Sequence, residues 1–462
     1  MKKLIKKISI FLTMIAGFIL FSGPARADEP LIIVIDPGHG GDNLGAEYGN
    51  YTEKELTMVV AKAMKEELEK YDQVIVYLTH DVDANMSLEE RALFAKEKNA
   101  DFLFCLHFNM SVNHDLFGAE VWVPAGGEYY SKGYSFAQIE MESLTDIGLY
   151  SRGIKTRLND KGDNYYGILR HCSIQQIPSV LIEHCHLDHA KDQDFYQQGD
   201  QQLKEFGRID ATAVAKYFRL SSTLLDVDYS DYPVEEVPLP QGMVAPDKTE
   251  PELCLIEVED INKETGEVTV FMEAEDSDSY ILYYNYSLDG GNTYSMPDIW
   301  PRPNAWNQSD NNHRFTVQVP FDQQIILRAG ASNGFDVWTE SNEITLDPID
   351  DPERLERERL EAEHLIFQGI EKEQLESESL EEDDEQKKSE NATDPDQAET
   401  IDTMEKYSME NNSIEEISAE SDPSSELWII IAIILGIFLC MIFVSFFMSK
   451  MIFQLVKGNK KR

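Results

Sequence analysis

Residues 31–41, Leu-Ile-Ile-Val-Ile-Asp-Pro-Gly-His-Gly-Gly, constrain the fold more than any other stretch of the chain. Leu31 to Ile35 are apolar without polar alternation, the pattern of a strand buried on both faces in a parallel sheet covered by helices. Asp36-Pro37-Gly38 stops that strand and sets His39 on a loop just past its carboxyl end, where open α/β sheets place their ligands. Two later stretches repeat the arrangement: Ala100–Leu106 leads into His107, and Ile177–Ile182 leads into Glu183. Three buried strands, each delivering a metal-binding or acid/base side chain near one end, predict a catalytic site.

The residues between these strands alternate in period. Leu56, Val59, Val60, Ala63, Met64 and Leu68 recur at helical spacing and predict a helix over Glu53–Tyr71, with Thr52 as N-cap and Glu55 completing a capping box. A strand over Val74–Leu78, a helix over Leu88–Lys98 and strands over Phe102–Leu106 and Ala119–Val123 follow. After an irregular middle come the strand Val180–Ile182 and a closing helix, Leu203 to Phe218. Residues 30–220 are thus expected to form an α/β domain, a mostly parallel twisted sheet with helices on both faces.

Beyond it the texture changes. Residues 221–250 are acidic and proline-rich without periodicity, a linker. Residues 252–347 hold short strand-like runs separated by turns such as Asp289-Gly290-Gly291-Asn292, which predict a small β-sandwich. Within them Tyr284-Asn285-Tyr286-Ser287-Leu288-Asp289-Gly290-Gly291 resembles a strand-turn of immunoglobulin- or fibronectin-like modules. Its tryptophans, Trp300, Trp306 and Trp338, belong either to the core of a spacer or to a contact surface for wall carbohydrate or protein. Residues 348–426 are rich in Glu, Asp and Ser and read as an acidic stalk, helical from Pro352 to about Leu380 and otherwise disordered.

The two ends carry addresses. Lys2, Lys3, Lys6 and Lys7, the apolar run Ile8–Phe21 and Ala25-Arg26-Ala27 read as a signal peptide over residues 1–27, with an uncleaved anchor as the rival. Residues 427–449 are long and apolar enough for a transmembrane helix, and the basic tail 450–462 orients it with that tail in the cytoplasm. The expected location is the cell membrane, single-pass, with the α/β domain extracellular. Lys and Arg total 40 against 85 Asp and Glu, a net charge of −45 that argues against a nucleic-acid partner. The cysteines (Cys105, Cys172, Cys185, Cys254, Cys440) form neither a disulfide framework nor a zinc-knuckle spacing, although Cys172 and Cys185 are able to pair outside the cell.

His39, Glu53 and His107 supply two imidazoles and one carboxylate, the donor set of a catalytic zinc with a fourth position left for water. A helix N-terminus at Glu53 favours its ionised form. Taken singly, each has an ordinary explanation: a loop histidine bonded to backbone, a solvated acid at a helix start, a core histidine with one hydrogen bond. Their convergence at one sheet edge is what turns the reading towards a metal. Glu183 ends an apolar strand, where an unpaired carboxylate is costly unless it works as a general base and then acid.

Asp36-Pro37-Gly38-His39-Gly40-Gly41, Glu53-Lys54-Glu55-Leu56, Ser87-Leu88-Glu89-Glu90-Arg91, Leu106-His107-Phe108-Asn109 and Pro178-Ser179-Val180-Leu181-Ile182-Glu183 occur in this order across residues 31–220. In them the domain resembles the zinc-dependent N-acetylmuramoyl-L-alanine amidases of the Amidase_3 type. The resemblance implies one Zn2+ on His39, Glu53 and His107, and Glu183 as the catalytic carboxylate. It implies hydrolysis of the amide between the lactyl group of N-acetylmuramic acid and L-alanine in peptidoglycan. Glu120, Asn109 and Arg91 are then placed at the substrate cleft, Arg91 and Asn109 either as structural pins of helix and loop or with a direct role there. An inactive, peptidoglycan-binding relative and a zinc peptidase of other specificity are the alternatives. Where family members continue Gly-Phe-x-x-Asn after the glutamate, this chain reads His184-Cys185-His186-Leu187-Asp188-His189. A second metal on His171, Cys172, Cys185 and His186 is one reading of that departure, and polar rim residues without a metal is the other.

Overall fold

The computed structural model describes residues 29–302 and 309–389. The expected signal peptide, the transmembrane helix, the basic tail, residues 390–426 of the acidic stalk and Trp306 lie outside the described residues. No helix among the described residues is long and apolar enough to cross a membrane.

Six strands build the first sheet: β1 (Leu31–Pro37), β2 (Val74–Leu78), β3 (Phe102–Asn109), β4 (Ala119–Trp122), β5 (Ser151–Lys155) and β6 (Ser179–His186), in the order β2-β1-β3-β6-β4-β5. β2, β1, β3 and β6 run parallel, β4 turns back antiparallel against β6, and β5 is parallel to β4. The sheet is mixed, with one reversal. Helices α1 (Glu53–Leu68), α3 (Gly127–Asp146) and α6 (Asp200–Phe218) cover one face through Val60, Phe136 and Phe206, over Ile33, Ile35, Phe104 and Ile182. The thinner helices α2 (Leu88–Glu97) and α4 (Gly167–Ile174) cover the other face over Val34, Leu103, Cys105 and Leu181. A one-turn helix, α5 (Ala190–Gln193), follows β6. Strands buried on both faces account for the unbroken apolar runs.

The structure departs from the sequence expectation in several places. α3, β5 and α4 occupy the middle expected to be irregular. Thr52 is the N-cap of α1, but its side chain makes no capping bond, so the expected box with Glu55 does not form. The first-turn amides are satisfied otherwise: Glu53 N donates to Ala46 O and Lys54 N to Leu44 O, at 2.9 and 3.1 Å. The capping box belongs to α2, where Ser87 and Glu90 exchange bonds. Residues 221–250 carry no long element, as expected of a linker, yet they are strapped onto the first domain. Val237 N donates to Ser135 Oγ at 3.0 Å, and Val244 N donates to Ala125 O at 2.6 Å.

Residues 253–346 form two antiparallel sheets from β7 (Leu253–Asn262), β8 (Glu267–Glu275), β9 (Ile281–Ser287), β10 (Asp298–Ile299), β11 (Asn312–Gln318), β12 (Ile325–Asn333), β13 (Trp338–Glu340) and β14 (Ile344–Leu346). β7-β8-β11 face β10-β9-β12-β13, with β14 also paired to β12. Val268, Val270, Leu327 and the fully buried Trp300 fill the space between. Trp300 is therefore a core residue, whereas Trp338 is 37% exposed. Helix α7 (Pro352–Ser389) follows, longer than the helix expected there.

This β-domain is docked on the α/β domain. Tyr283 Oη donates to Phe117 O, Tyr150 Oη donates to Leu282 O, and Tyr280 Oη donates to Arg152 O at 2.9 Å. Phe117, Leu282 and Tyr283 bury one another in a small apolar cluster at the junction. Gly153, at φ 89°, is required there, because a Cβ would stand 1.6 Å from Tyr280 Oη.

Candidate metal centre

Register places the site. His107 on β3 pairs with Glu183 on β6, and Glu183 pairs with Glu120 on β4. Side chains paired across a sheet share a face, so these three stand in one row, above Cys105 and Leu181. β1 ends at Pro37, and the chain turns through Gly38 into His39, whose φ of 67° is the left-handed conformation. Gly38 leaves room for the imidazole of His107: a Cβ would lie 2.5 Å from its Cε1. Glu53, the first residue of α1, reaches in from the side with only 4% exposure.

The three donors converge. Glu53 Oε2 lies 2.9 Å from His39 Nε2 and Glu53 Oε1 lies 2.8 Å from His107 Nδ1, with the ligand atoms all within 4.8 Å of one another. Asn43 Oδ1 sits 3.0 Å from His39 Nδ1 and holds the ring with Nε2 turned towards Glu53. Ala46 N and Phe108 N donate to the two oxygens of Glu53 at 2.8 and 3.0 Å and fix the plane of the carboxylate. Burial alone would push the Glu53 carboxyl up, but the bonds from His107 and His39 outweigh it and hold it well below the usual range. An ionised carboxylate between two imidazoles fits a divalent cation of zinc type.

Glu183 lines the same cleft of about 620 Å³ as His39, Glu53 and His107. Its Oε2 is buried without a hydrogen-bond partner. Burial, followed by the charges of Glu53 and Glu120, pushes its carboxyl well above the ordinary value. A carboxyl with a bare oxygen and a raised proton affinity, beside a metal-type donor set, is equipped to carry a proton.

Residues 33–215 match the family model for N-acetylmuramoyl-L-alanine amidase. These residues belong to that family. The amidase domain is 31% identical over 102 residues to N-acetylmuramoyl-L-alanine amidase AmiC of Escherichia coli, covering 22% of this chain and 24% of that protein. It is 29% identical over 190 residues to N-acetylmuramoyl-L-alanine amidase CwlM of Bacillus licheniformis, covering 41% of this chain and 69% of that protein. The chain thus spans 24% of the first relative's length. Among solved structures, amidase AmiC2 of Nostoc punctiforme is 26% identical, with a TM-score of 0.35, covering 41% of this chain and 97% of that one.

The remaining candidates of the amidase domain fall into place as supports. Arg91, 3% exposed, sends Nη1 to Asp36 Oδ1 and Pro37 O at 2.7 Å each and Nη2 to His39 O at 2.5 Å, so it pins the loop that carries His39. Asn109 Nδ2 donates to Glu120 Oε1 at 2.8 Å. Glu120 is 2% exposed, and its Oε2 takes Arg152 Nε and Lys155 Nζ at 2.9 Å each. Its oxygens are committed to these partners and to Trp122 Nε1, so it works as a buried strut beside Glu183. The stretch after Glu183 builds no second metal site: Cys172 and Cys185 are free thiols that lie in different cores. His184 bonds Asp210 at 3.1 Å, and His186 lines a separate, neighbouring cleft, pushed down to about 3 by burial and the charge of Arg152.

Three supports went unread in the sequence: Asn43, Arg152 and Lys155. Asn43 stands four residues beyond His39 in a glycine-rich loop, which is a usable signal for a histidine-orienting acceptor. Arg152 and Lys155 had no such signal, because their partners are distant in the chain.

Proposed function

We propose that the amidase domain hydrolyses the amide joining the lactyl group of N-acetylmuramic acid to the L-alanine of the stem peptide in peptidoglycan. One zinc ion would be held by His39 Nε2, Glu53 and His107 Nδ1. When bound, such an ion polarises a carbonyl and lowers the pKa of water towards about 7. The observation that carries the proposal is the meeting of that donor set with the unpartnered Oε2 of Glu183 in one cleft.

Glu183 Oε2 accepts the proton of the attacking water, and its raised proton affinity lets the carboxyl keep that proton until the amine leaves. Delivering it to the departing L-alanine nitrogen completes the hydrolysis and regenerates the carboxylate. Asn43 holds the His39 ring from behind, and Arg91 keeps the His39 loop from relaxing. Closely packed supports of this kind preserve the reacting geometry between turnovers.

The lysines ahead of Ile8–Phe21, the apolar run 427–449 and the basic tail support an exported, single-pass membrane protein with this domain facing the wall. The two antiparallel sheets around Trp300 support an immunoglobulin-like module over residues 252–347, and the acidic segment after it a stalk.

Digesting purified peptidoglycan and weighing the products tests the activity. Free stem peptides with an L-alanine amino terminus are expected. Shortened peptides would instead indicate a peptidase, and binding without release an inactive relative.

A further inference from the structure

A second cleft, of about 650 Å³, opens beside the catalytic one and shares Asn109, Met110 and Tyr166 with it. Its outer wall does not come from the amidase domain. Pro246, Asp247 and Lys248 of the linker and Phe335, Asp336 and Val337 of the β-domain form it.

That wall is fastened from both sides. Asn333, fully buried, accepts Phe335 N and Val337 N on Oδ1 at 3.0 Å each and donates from Nδ2 to Asp247 Oδ2 at 2.7 Å. One side chain therefore ties the β-domain loop to the linker. Asp336 Oδ2 accepts from Arg152 Nη2 at 2.7 Å, and Arg152 Nε donates to Oε2 of Glu120, the register neighbour of Glu183. The wall is thus positioned against the row of residues that holds the catalytic carboxyl.

We propose that the linker and β-domain complete the substrate cleft, and that this second compartment receives the stem peptide, with Arg157 and Lys248 binding its carboxylates. The inference rests on the amidase reading given above. A glycan strand runs on past the scissile amide in both directions and needs a groove open at both ends. A stem peptide is a short branch, and it fits a compartment walled by a docked domain. The charges agree. The lactyl carbonyl is already an amide, so the glycan side is neutral there, whereas the peptide ends in a carboxylate.

Arg157 and Lys248 are exposed, and neither has a salt-bridge partner among the described residues. Arg157 stacks on Tyr165 at 3.7 Å, which holds the guanidinium over the cleft. Among the acids of the lining, Glu120 and Asp336 are engaged by Arg152, and Asp247 is engaged by Asn333; Asp160 stands exposed at the rim. Asn333 is neutral and leaves Asp247 charged, so the lining is not cationic as a whole. Arg157 and Lys248 are, however, its two cations that no acid among the described residues engages in an ion pair.

The test compares two soluble substrates, N-acetylmuramoyl-L-alanine and N-acetylmuramoyl carrying a full stem peptide, on the zinc-loaded full-length chain in detergent. The wild type should favour the full stem in kcat/KM. Lys248→Glu and Arg157→Glu should each lower the ratio of long to short by about tenfold, the weight of one charge-assisted contact. Lys248→Arg should retain it. A ratio that neither charge reversal moves overturns the proposal. A wild type that cuts neither substrate removes the amidase reading itself, and this inference falls with it.

Discussion

Arg91 Nη1 stands 2.7 Å from Asp36 Oδ1 with the two side chains 4% and 1% exposed, so the loop bearing His39 hangs from a buried ion pair. Thr79 Oγ1 and Cys105 Sγ also donate to that carboxylate, at 2.6 and 3.1 Å. Removing one partner of such a pair leaves the other charged and buried, which costs about 3–5 kcal/mol. Arg91→Met should lower the unfolding free energy from urea titration by that order and weaken metal binding, because the bond to His39 O goes as well. Arg91→Lys should recover little, since one ammonium cannot reach Asp36, Pro37 O and His39 O together.

Glu183 contributes no donor atom to the His39–Glu53–His107 group. Glu183→Gln should therefore lower kcat by about 10²–10⁴-fold while the protein still binds one zinc per chain. Peptide release from peptidoglycan reads the first quantity and atomic emission on the dialysed protein reads the second. Loss of zinc in this variant would show that Glu183 had been given the wrong role.

Chelation should abolish activity and added Zn2+ should restore it, with His107→Ala unable to recover. Asn43 offers a finer probe. It touches His39 Nδ1 only from behind, at 3.0 Å, so Asn43→Ala should weaken zinc affinity by about 10–100-fold without removing a ligand. A competition titration against a zinc indicator measures this directly.

What was legible in the sequence follows from how locally each feature is determined. β1, β3 and β6 announce themselves because both faces are buried, so composition alone carries the signal. α1 shows its buried stripe in the helical spacing of Leu56, Val60, Met64 and Leu68. β5 could not be read that way. Its Arg152 and Lys155 are buried in a strand where charge argues against burial, and their partners Glu120 and Asp336 come from elsewhere in the chain. α3 begins Gly-Glu-Tyr-Tyr-Ser-Lys-Gly, a poor helix former, and is held by packing of Phe136, Ile139 and Leu144. The metal donors were legible as residue types, but their meeting depends on the turn after Gly38 and on strand order, and neither is written locally.

Domain docking is open to a steric test at Gly153. Its φ of 89° and the Tyr280 hydroxyl that a Cβ would strike make Gly153→Ala doubly unfavourable. The substitution should destabilise the chain by about 1–3 kcal/mol and expose the linker to proteolysis, as overpacked contacts do. Combining it with Tyr280→Ala should relieve the clash and leave only the lost bond to Arg152 O. If linker cleavage is no faster in Gly153→Ala than in the parent, the docking described above does not persist in solution.

On the face of the sheet opposite the His107 side chain, Glu140 of α3 and Asp210 of α6 are both fully buried, with His184 bonded to Asp210. Burial, then the Asp210 carboxylate, pushes Glu140 well above its ordinary value of 4.5, and Lys216 opposes this only weakly. In the unfolded chain Glu140 ionises at that ordinary value, whereas the folded chain keeps its proton to higher pH. Its contribution to stability is therefore fully present below the unfolded value and is lost as the pH rises through the folded one. Glu140→Gln keeps the shape and removes the titration. The variant should gain stability over the parent at pH 8 and show no such gain at pH 4. Urea unfolding at both values, with chelator present throughout so that zinc does not enter, measures the difference. Parallel stability curves for variant and parent would mean that the Glu140 carboxyl holds its proton no more tightly in the folded chain than in the unfolded one.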